Sequence, residues 1–412
     1  MVPTGALYEL EFNHGSQYGE EELAALAEVL RASAPSCGPK TQEFEKAFAG
    51  YCGTSSALAV TSATAGLQLA MIAARVAPGD EVITTPISWI ATANAAALQG
   101  ATVVFADVDP VTLNLDPESV ARKITPRTKA IIPVHLYGQC CDMDALMHLA
   151  RNTRNTGNQG ITVVEDAAHA AGATYKGRKA GSLGDIGVFS FHQQKNMSTL
   201  GEGGMITTSN PILEERMFSH RSLCARAYGP KRKYLSVDET RRPMGKSYWY
   251  FDFDDIGFNF RMTDAQAAVG LVQLRKLDGW NARRREIARR YSAELSGITG
   301  LTLPDFKPHS ESSWHSYCVQ IEPDFPLNKE DFMWEMYTNR RIKVWSHYMP
   351  IHLTTAYQRL GHYEGECPVA ETLFHKYVSL PVHPRLSDHA VDYLIATVRD
   401  IARSGANQSH AA

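Results

Sequence analysis

Thr162-Val163-Val164-Glu165-Asp166, an apolar run ending in acids, and Gly187-Val188-Phe189-Ser190-Phe191, a second run leading to His192-Gln193-Gln194-Lys195-Asn196 and then Gly201-Glu202-Gly203-Gly204, decide the fold of this chain. They read as short strands over Thr162 to Glu165 and Gly187 to Phe191, and they belong to a series. Ala57 to Thr61, Glu81 to Thr85, Thr102 to Ala106, Ala130 to Val134 and Met205 to Thr208 have the same β-branched or apolar character, with helical patterns between them. After the first of these, Leu67, Ala70, Met71 and Ala74 keep the i, i+3, i+4, i+7 spacing of a helix face until Pro78-Gly79-Asp80 stops it. Asp142 before Met143, and Asp116 before Pro117-Glu118, are helix-start signals. Strands alternating with helices predict a largely parallel sheet with helices packed on both faces.

Beyond residue 208 the pattern changes. Residues 223 to 255 are rich in charge and aromatics, with Arg226, Lys231-Arg232-Lys233, Arg241-Arg242 and Tyr248-Trp249-Tyr250. They read as a surface excursion, either an active-site loop or a contact with a second subunit. A helical stretch from Thr263 to Leu295, expected to break near Gly279, leads into a C-terminal part that runs strand, helix, strand, helix from Leu301 onward. Arg283-Arg284-Arg285, Arg289 and Arg290 share the helical pattern of Ile287, Tyr291 and Leu295 and read as a solvated face. Ser404 to Ala412 are expected to fray.

The composition bounds the class of protein. With 412 residues, 44% of them hydrophobic, the chain can bury a large core, and one big domain plus a smaller one is expected. A net charge of −3 offers no concentrated basic surface for nucleic acid or an anionic membrane. Met1 to Phe12 lacks the basic region and apolar segment of a secretory signal. The most apolar stretch, Ala57 to Ala77, is interrupted by Thr61, Thr64, Gln68 and Arg75, short of the ~18 apolar residues of a membrane span. Cys37, Cys52, Cys140, Cys141, Cys224, Cys318 and Cys367 form no Cys-x-x-Cys pair and read as reduced thiols of a cytoplasmic protein. His347, His352 and His362 fit no compact metal motif.

The chemistry gathers around Lys195 and Asp166. A lysine amine becomes a catalyst by condensing with an aldehyde cofactor, and an acid against a pyridine nitrogen turns that cofactor into an electron sink. Asp166 ends a strand, where active-site residues of α/β sheets project, and a carboxylate there would keep such a nitrogen protonated. Val60-Thr61-Ser62-Ala63-Thr64-Ala65-Gly66 passes from strand to helix through small residues, leaving backbone N–H groups and hydroxyls where a phosphate is favoured. Ser190 could add another hydroxyl, His169 could reach the cofactor's phenolic oxygen, and Trp89, after Pro86-Ile87-Ser88, could lie flat on the ring. Singly, each has a plainer reading: a solvated lysine, an acid in a turn or cap, a packed histidine, a core or interface tryptophan. Together they read as a pyridoxal 5′-phosphate site.

These segments, in this order, resemble the DegT/DnrJ-type sugar aminotransferases of the aspartate aminotransferase superfamily. The resemblance runs from Ser36-Cys37-Gly38-Pro39-Lys40 to Leu380-Pro381. It passes through Pro78-Gly79-Asp80-Glu81-Val82-Ile83, Ala106-Asp107-Val108-Asp109-Pro110, Glu165-Asp166-Ala167-Ala168-His169, Gly257-Phe258-Asn259-Phe260-Arg261-Met262, His347-Tyr348-Met349-Pro350 and Cys367-Pro368-Val369-Ala370-Glu371. It implies an α/β, aspartate aminotransferase-like fold (fold type I of the pyridoxal phosphate enzymes). A large cofactor-binding domain over residues 1–278, with a mainly parallel seven-stranded sheet, would be followed by a smaller α/β C-terminal domain over residues 279–412.

The same resemblance implies roles. Lys195 would form the imine link to the cofactor and then shuttle a proton, and Asp166 would pair with the pyridine nitrogen. Trp89 would stack on the ring, His169 would meet the phenolic oxygen, and Ala63, Thr64 and Ser190 would surround the phosphate. Asn259 would reach the phosphate of the neighbouring subunit, with Arg261 near the same shared site, which makes the active unit a homodimer. His347 and Tyr348 would border the substrate cleft. Two positions depart from the family pattern: His169 stands where Gln is usual, and Ala63 where the phosphate turn usually has Gly. The implied reaction moves an amino group from glutamate or glutamine, by way of pyridoxamine 5′-phosphate, to a keto sugar: a nucleotide-activated keto-deoxysugar or a keto-cyclitol of amino sugar or antibiotic biosynthesis. The alternatives are a pyridoxal phosphate-dependent sugar dehydratase, whose relatives carry histidine in place of the lysine, and a cofactor-binding regulatory protein without turnover.

Overall fold

The computed structural model describes residues 17–32, 36–153, 160–227, 251–305 and 309–408. Strands β1 (Ser56–Val60), β2 (Glu81–Thr84), β3 (Thr102–Phe105), β4 (Thr128–Ile132), β5 (Thr162–Asp166), β6 (Ile186–Ser190) and β7 (Gly204–Thr208) form one seven-stranded sheet in the order β1-β7-β6-β5-β4-β2-β3. β7 runs antiparallel to both its neighbours, and every other pairing is parallel. The mainly parallel sheet expected from the sequence is therefore present. β6 and β7 are buried along their whole length, as strands covered on both faces must be.

Helices α1 (Glu20–Arg31), α2 (Pro39–Cys52), α3 (Ala63–Ala73), α4 (Ala91–Ala97), α5 (Pro117–Lys123), α6 (Met143–Asn152), α7 (Pro211–Arg221) and the first half of α8 (Asp264–Leu295) accompany the sheet. Asp116 and Asp142 cap α5 and α6 as their positions predict, each accepting backbone N–H groups of the first turn. Two apolar clusters form. One contains Leu67, Ala70, Val82, Val164 and Val188, the other Phe44, Phe48, Ile83, Val163 and Phe189. Successive residues of β5 thus enter different clusters, which is the period-2 pleat of a strand buried on both sides.

That pleat sorts the two acids at the end of β5. Asp166 shares the face of Val164, whereas Glu165 shares the face of Val163. There Glu165 accepts backbone N–H groups of Gly181, Leu183 and Gly184, each at 2.7 Å. Glu165 fixes a loop, and only Asp166 is left on the side of α3 and α4.

The C-terminal part has its own antiparallel sheet, β8 (Leu301–Thr302), β9 (Tyr317–Ile321) and β10 (Tyr377–Leu380), in that order. Helices Lys329–Thr338 and Asp388–Gln408 and the second half of α8 enclose a third apolar cluster with it. Two expectations need correction. α8 runs without a break through Gly279, because a helical glycine costs only about 1 kcal/mol relative to alanine. Leu277, Asn281, Arg284 and Ile287 are buried on either side of it and hold the helix in place. Arg284 is not on a solvated face: it is fully buried and donates to the carbonyls of Trp314 and Val382, while Arg285 and Arg289 are exposed. Position 284 lies on the same stripe as Ile287, Ala288 and Tyr291, so the helix turns it inward. The C-terminal helix extends to Gln408, and residues 409–412 lie outside the described residues.

At the base of the 223–255 excursion, Ala225–Ala227 pairs antiparallel with Phe251–Phe253. Lys231, Arg232, Lys233, Arg241, Arg242 and Trp249 lie outside the described residues. No helix among the described residues is long and apolar enough to cross a membrane. None of the seven cysteines is in a disulfide, and all are buried.

Candidate active site

The carboxyl ends of β1, β5 and β6 point to one edge of the sheet, and a cavity of about 700 Å³ opens there. Ser62, Ala63 and Thr64 line it at the start of α3, Asp166 and His169 at the end of β5, Ser190 at the end of β6 and Lys195 just beyond it. Trp89 lies on its rim with 64% of its surface exposed, and His347 and Tyr348 enter from the C-terminal part.

At the phosphate-like corner, β1 delivers the chain to Ser62, which caps α3 by accepting the N–H of Ala65 at 3.2 Å. The N–H groups of Ala63 and Thr64 belong to the first helical turn and have no partner within the helix, which suits an anion. Ala63 is itself the first helical residue and its φ is not positive, so alanine there costs nothing in backbone strain. Gly204 supports the corner from below: a Cβ on it would stand 2.6 Å from the Ser62 carbonyl carbon and 2.7 Å from the Ala63 nitrogen. The glycines after Lys195 thus let β7 pack directly beneath the turn.

Asp166 is buried and accepts from Thr92 Oγ1 at 2.7 Å and from the Ala168 N–H at 3.1 Å. Since Thr92 gives its proton to the acid, Ser88 Oγ, 2.7 Å from Thr92 Oγ1, is the donor of that pair. Burial pushes the Asp166 carboxyl above its ordinary range, while these hydrogen bonds and the charge of Lys195 pull the other way. Burial also brings Lys195 down to about 8, against the attraction of Asp166.

A consequence is measurable without turnover. Only the neutral amine can condense with an aldehyde, so covalent capture of pyridoxal 5′-phosphate by the cofactor-free protein should accelerate about tenfold per pH unit below pH ~8 and level off above it. Absorbance-monitored reconstitution from about pH 6 to 9 checks this, and a rate still climbing towards pH ~10 would contradict it.

His169 is buried and kept well below the usual histidine range by burial first, with the charge of Lys195 acting in the same direction. Its Nδ1 accepts the Tyr137 N–H at 3.4 Å, and its Nε2 lies 3.2 Å from Tyr348 Oη. Burial together with Lys195 pushes His347 down to about 3, so its ring is neutral at ordinary pH. The hydroxyls of Tyr137 and Tyr377 hold the carbonyls of His347 and Tyr348 and fix this strap over the cavity.

Asn259 and Arg261 are not brought into this chain's cavity. Asn259 is exposed and pairs through its backbone with Ser222, and Arg261, half-buried, pairs with Val60. Sequence reasoning also passed over Thr92, Ser88, Glu202 and His192, which line the cavity. Thr92 carries one usable signal, since it stands on the helix that follows Trp89; nothing in the sequence ties it to Asp166.

The donor set fits pyridoxal 5′-phosphate: a helix N-terminus with hydroxyls for its phosphate, a hydrogen-bonded buried acid for its ring nitrogen and an amine with depressed basicity for its aldehyde. Such a site at the edge of a mainly parallel sheet is that of a pyridoxal phosphate-dependent aminotransferase. More narrowly, the chain belongs to the DegT/DnrJ/EryC1/StrS aminotransferase family, whose model matches residues 16–399. It is 40% identical to the spore coat polysaccharide biosynthesis protein SpsC of Bacillus subtilis, covering 93% of this chain and 95% of that one. It is 37% identical to the dTDP-3-amino-3,4,6-trideoxy-alpha-D-glucose transaminase of Streptomyces venezuelae, over 93% of this chain and 92% of that one. Among solved structures, the putative sugar aminotransferase Spr1654 from Streptococcus pneumoniae, in its PMP form, superposes with a TM-score of 0.86 at 30% identity. That likeness covers 98% of this chain and 100% of the other. The chain is a sugar aminotransferase by family.

Proposed function

We propose that this aminotransferase takes an amino group from glutamate or glutamine, holds it as pyridoxamine 5′-phosphate, and delivers it to the ketone of a nucleotide-activated deoxysugar or a keto-cyclitol. The observation that carries the reading is the meeting of Lys195, Asp166 and the α3 N-terminus in one cavity. The bound cofactor would supply an electron sink that stabilises negative charge at the carbon losing a proton. Around it, Asp166 keeps the ring nitrogen protonated, Ala63, Thr64 and Ser190 hold the phosphate, and Trp89 covers a ring face. Lys195, released as a free amine, moves the proton; its depressed basicity near pH 8 lets it both take and return that proton close to neutrality. A lysine at this position supports amination over dehydration. His347 and Tyr348 border the space left for the sugar.

A homodimer completes the site in this reading. Asn259 is exposed on the segment beside Val60 and Ser222, outside its own cavity, where it is available to a second chain. The transaminase named above acts on a dTDP sugar, which favours the nucleotide-activated acceptor.

The test is a two-stage assay. Glutamate and glutamine are first offered to the cofactor-loaded protein while its visible absorbance is followed; one of them is expected to bleach it within seconds to minutes. The amine form is then mixed with keto sugars carrying or lacking a nucleoside diphosphate. Return of the absorbance only with nucleotide-free ketones would select the keto-cyclitol acceptor, no return with any ketone would overturn the acceptor assignment, and no bleaching by either amino acid would overturn the donor.

A further inference from the structure

A buried polar cluster behind the lysine loop takes no part in the steps above. Asn196, the residue after Lys195, is 3% exposed, and its amide nitrogen donates to Asn281 Oδ1 at 2.9 Å and to the Ser313 carbonyl at 2.8 Å. With both N–H groups committed, Asn196 Oδ1 is the acceptor for His315 Nδ1 at 3.2 Å, and the His315 proton sits on Nδ1. His315, 4% exposed, stacks on His169 with ring centres 4.1 Å apart and planes 23° apart. His169 accepts at Nδ1 from the Tyr137 N–H, so its own proton sits on Nε2, on the side of Tyr348. Ser313 closes the cluster by donating from Oγ to the His169 carbonyl at 2.9 Å, and Asn281 donates to the Ala171 carbonyl at 2.9 Å.

We propose that Asn196 and His315 are positioning residues that hold the plane of the His169 ring, whose Nε2 proton the Tyr137 N–H selects, so that it is presented to the cofactor's phenolic oxygen, and that they couple this ring to the loop carrying Lys195. The proposal rests on the pyridoxal phosphate reading of the cavity. A glutamine side chain at position 169 would have one fixed donor end and no tautomer to select. An imidazole at the same place can turn, protonate or switch its N–H, and each change removes the donor from where it is needed. The stack on His315, whose ring Asn196 holds through Nδ1, opposes turning of the His169 ring. Burial and the charge of Lys195 act in the same direction on both rings, Arg284 adds to this at His315, and the hydroxyl of Tyr348 faces His169 from the strap with the Tyr137 N–H on the other side.

The test measures binding of pyridoxamine 5′-phosphate, which needs no covalent bond to Lys195. Binding is followed by fluorescence quenching for His315→Phe and Asn196→Ala, each alone and combined with His169→Gln. Acting through His169, each substitution should weaken binding about tenfold in the otherwise unaltered protein and less than about twofold in the His169→Gln background. Equal losses in both backgrounds would mean a merely structural role and overturn the proposal. Thermal melts identify a variant that fails to fold; the cycle then rests on the other one. Nitrogen-15 spectra of histidine-labelled, cofactor-free protein give a second reading: His169 should be a single Nε2–H tautomer, and a mixture in the unaltered protein would overturn the proposal. If the unaltered protein bound no pyridoxamine phosphate while His169 showed the single tautomer, the cofactor reading would be what failed.

Discussion

Replacing Lys195 by alanine is expected to lower the amination rate by at least about 10⁴-fold, because the change removes both the amine that bonds to the aldehyde and the group that moves the proton. Two neighbours in the cavity lining cannot take over. His347, pushed down to about 3, is too weak a base, and the Tyr348 hydroxyl is driven upward by burial and the nearby Asp166, so it stays protonated. The fold should survive, since Lys195 is an amine whose burial already disfavours its charge and whose removal leaves Asp166 with its bonds from Thr92 and Ala168. The measurement is twofold: single-turnover amination by glutamate or glutamine, and mass spectrometry of the chain after borohydride reduction with the cofactor. A variant in which reduction still attached the cofactor to the chain would remove Lys195 from its assigned role.

Asp166→Asn is the second large effect, expected to reduce kcat by about 10² to 10³-fold, or roughly 3–4 kcal/mol of transition-state stabilisation. The substitution tests charge alone. The amide oxygen can still accept the Ala168 N–H, and the hydroxyls of Thr92 and Ser88 can rotate so that Thr92 accepts from the new amide and passes its own proton to Ser88. The local network therefore survives without its negative charge, and a ring nitrogen beside it loses the partner that keeps it protonated. Because burial raises the Asp166 carboxyl above its ordinary range, the neutral amide should not destabilise the protein at neutral pH, and the melting temperature should hold or rise. Activity within threefold of the parent, with the cofactor bound, would mean that the carboxylate charge contributes nothing to the chemistry.

Much of this molecule is legible in its sequence. The strands of the main sheet fall within two residues of their predicted places, since strands covered on both faces must be continuous apolar runs and the turns between them carry their own markers. Asp166 and Lys195 stand out for the same reason: each is a charged residue placed at the exit of such a run. The reading of the arginine run failed at Arg284 because the stripe from Ile287 to Leu295 was not extended one turn backward, where it places residue 284 inside. Gly279 misled because glycine signals a possible break, and only packing decides whether the helix continues.

The order and identity of the strands, the acid and the lysine at their ends and the small-residue turn before α3 were determined by the sequence, because each is a local pattern of apolar period, caps and steric size. Tertiary structure alone decided the rest. The pleat of β5 sent Asp166 to the cavity and Glu165 to a loop, Thr92 arrived at the acid from another strand's connection, and the C-terminal part brought His347, Tyr348 and His315 to the same edge. Those contacts join residues far apart along the chain, and a hydrogen bond or a desolvated charge depends on distance in space, which no local pattern encodes.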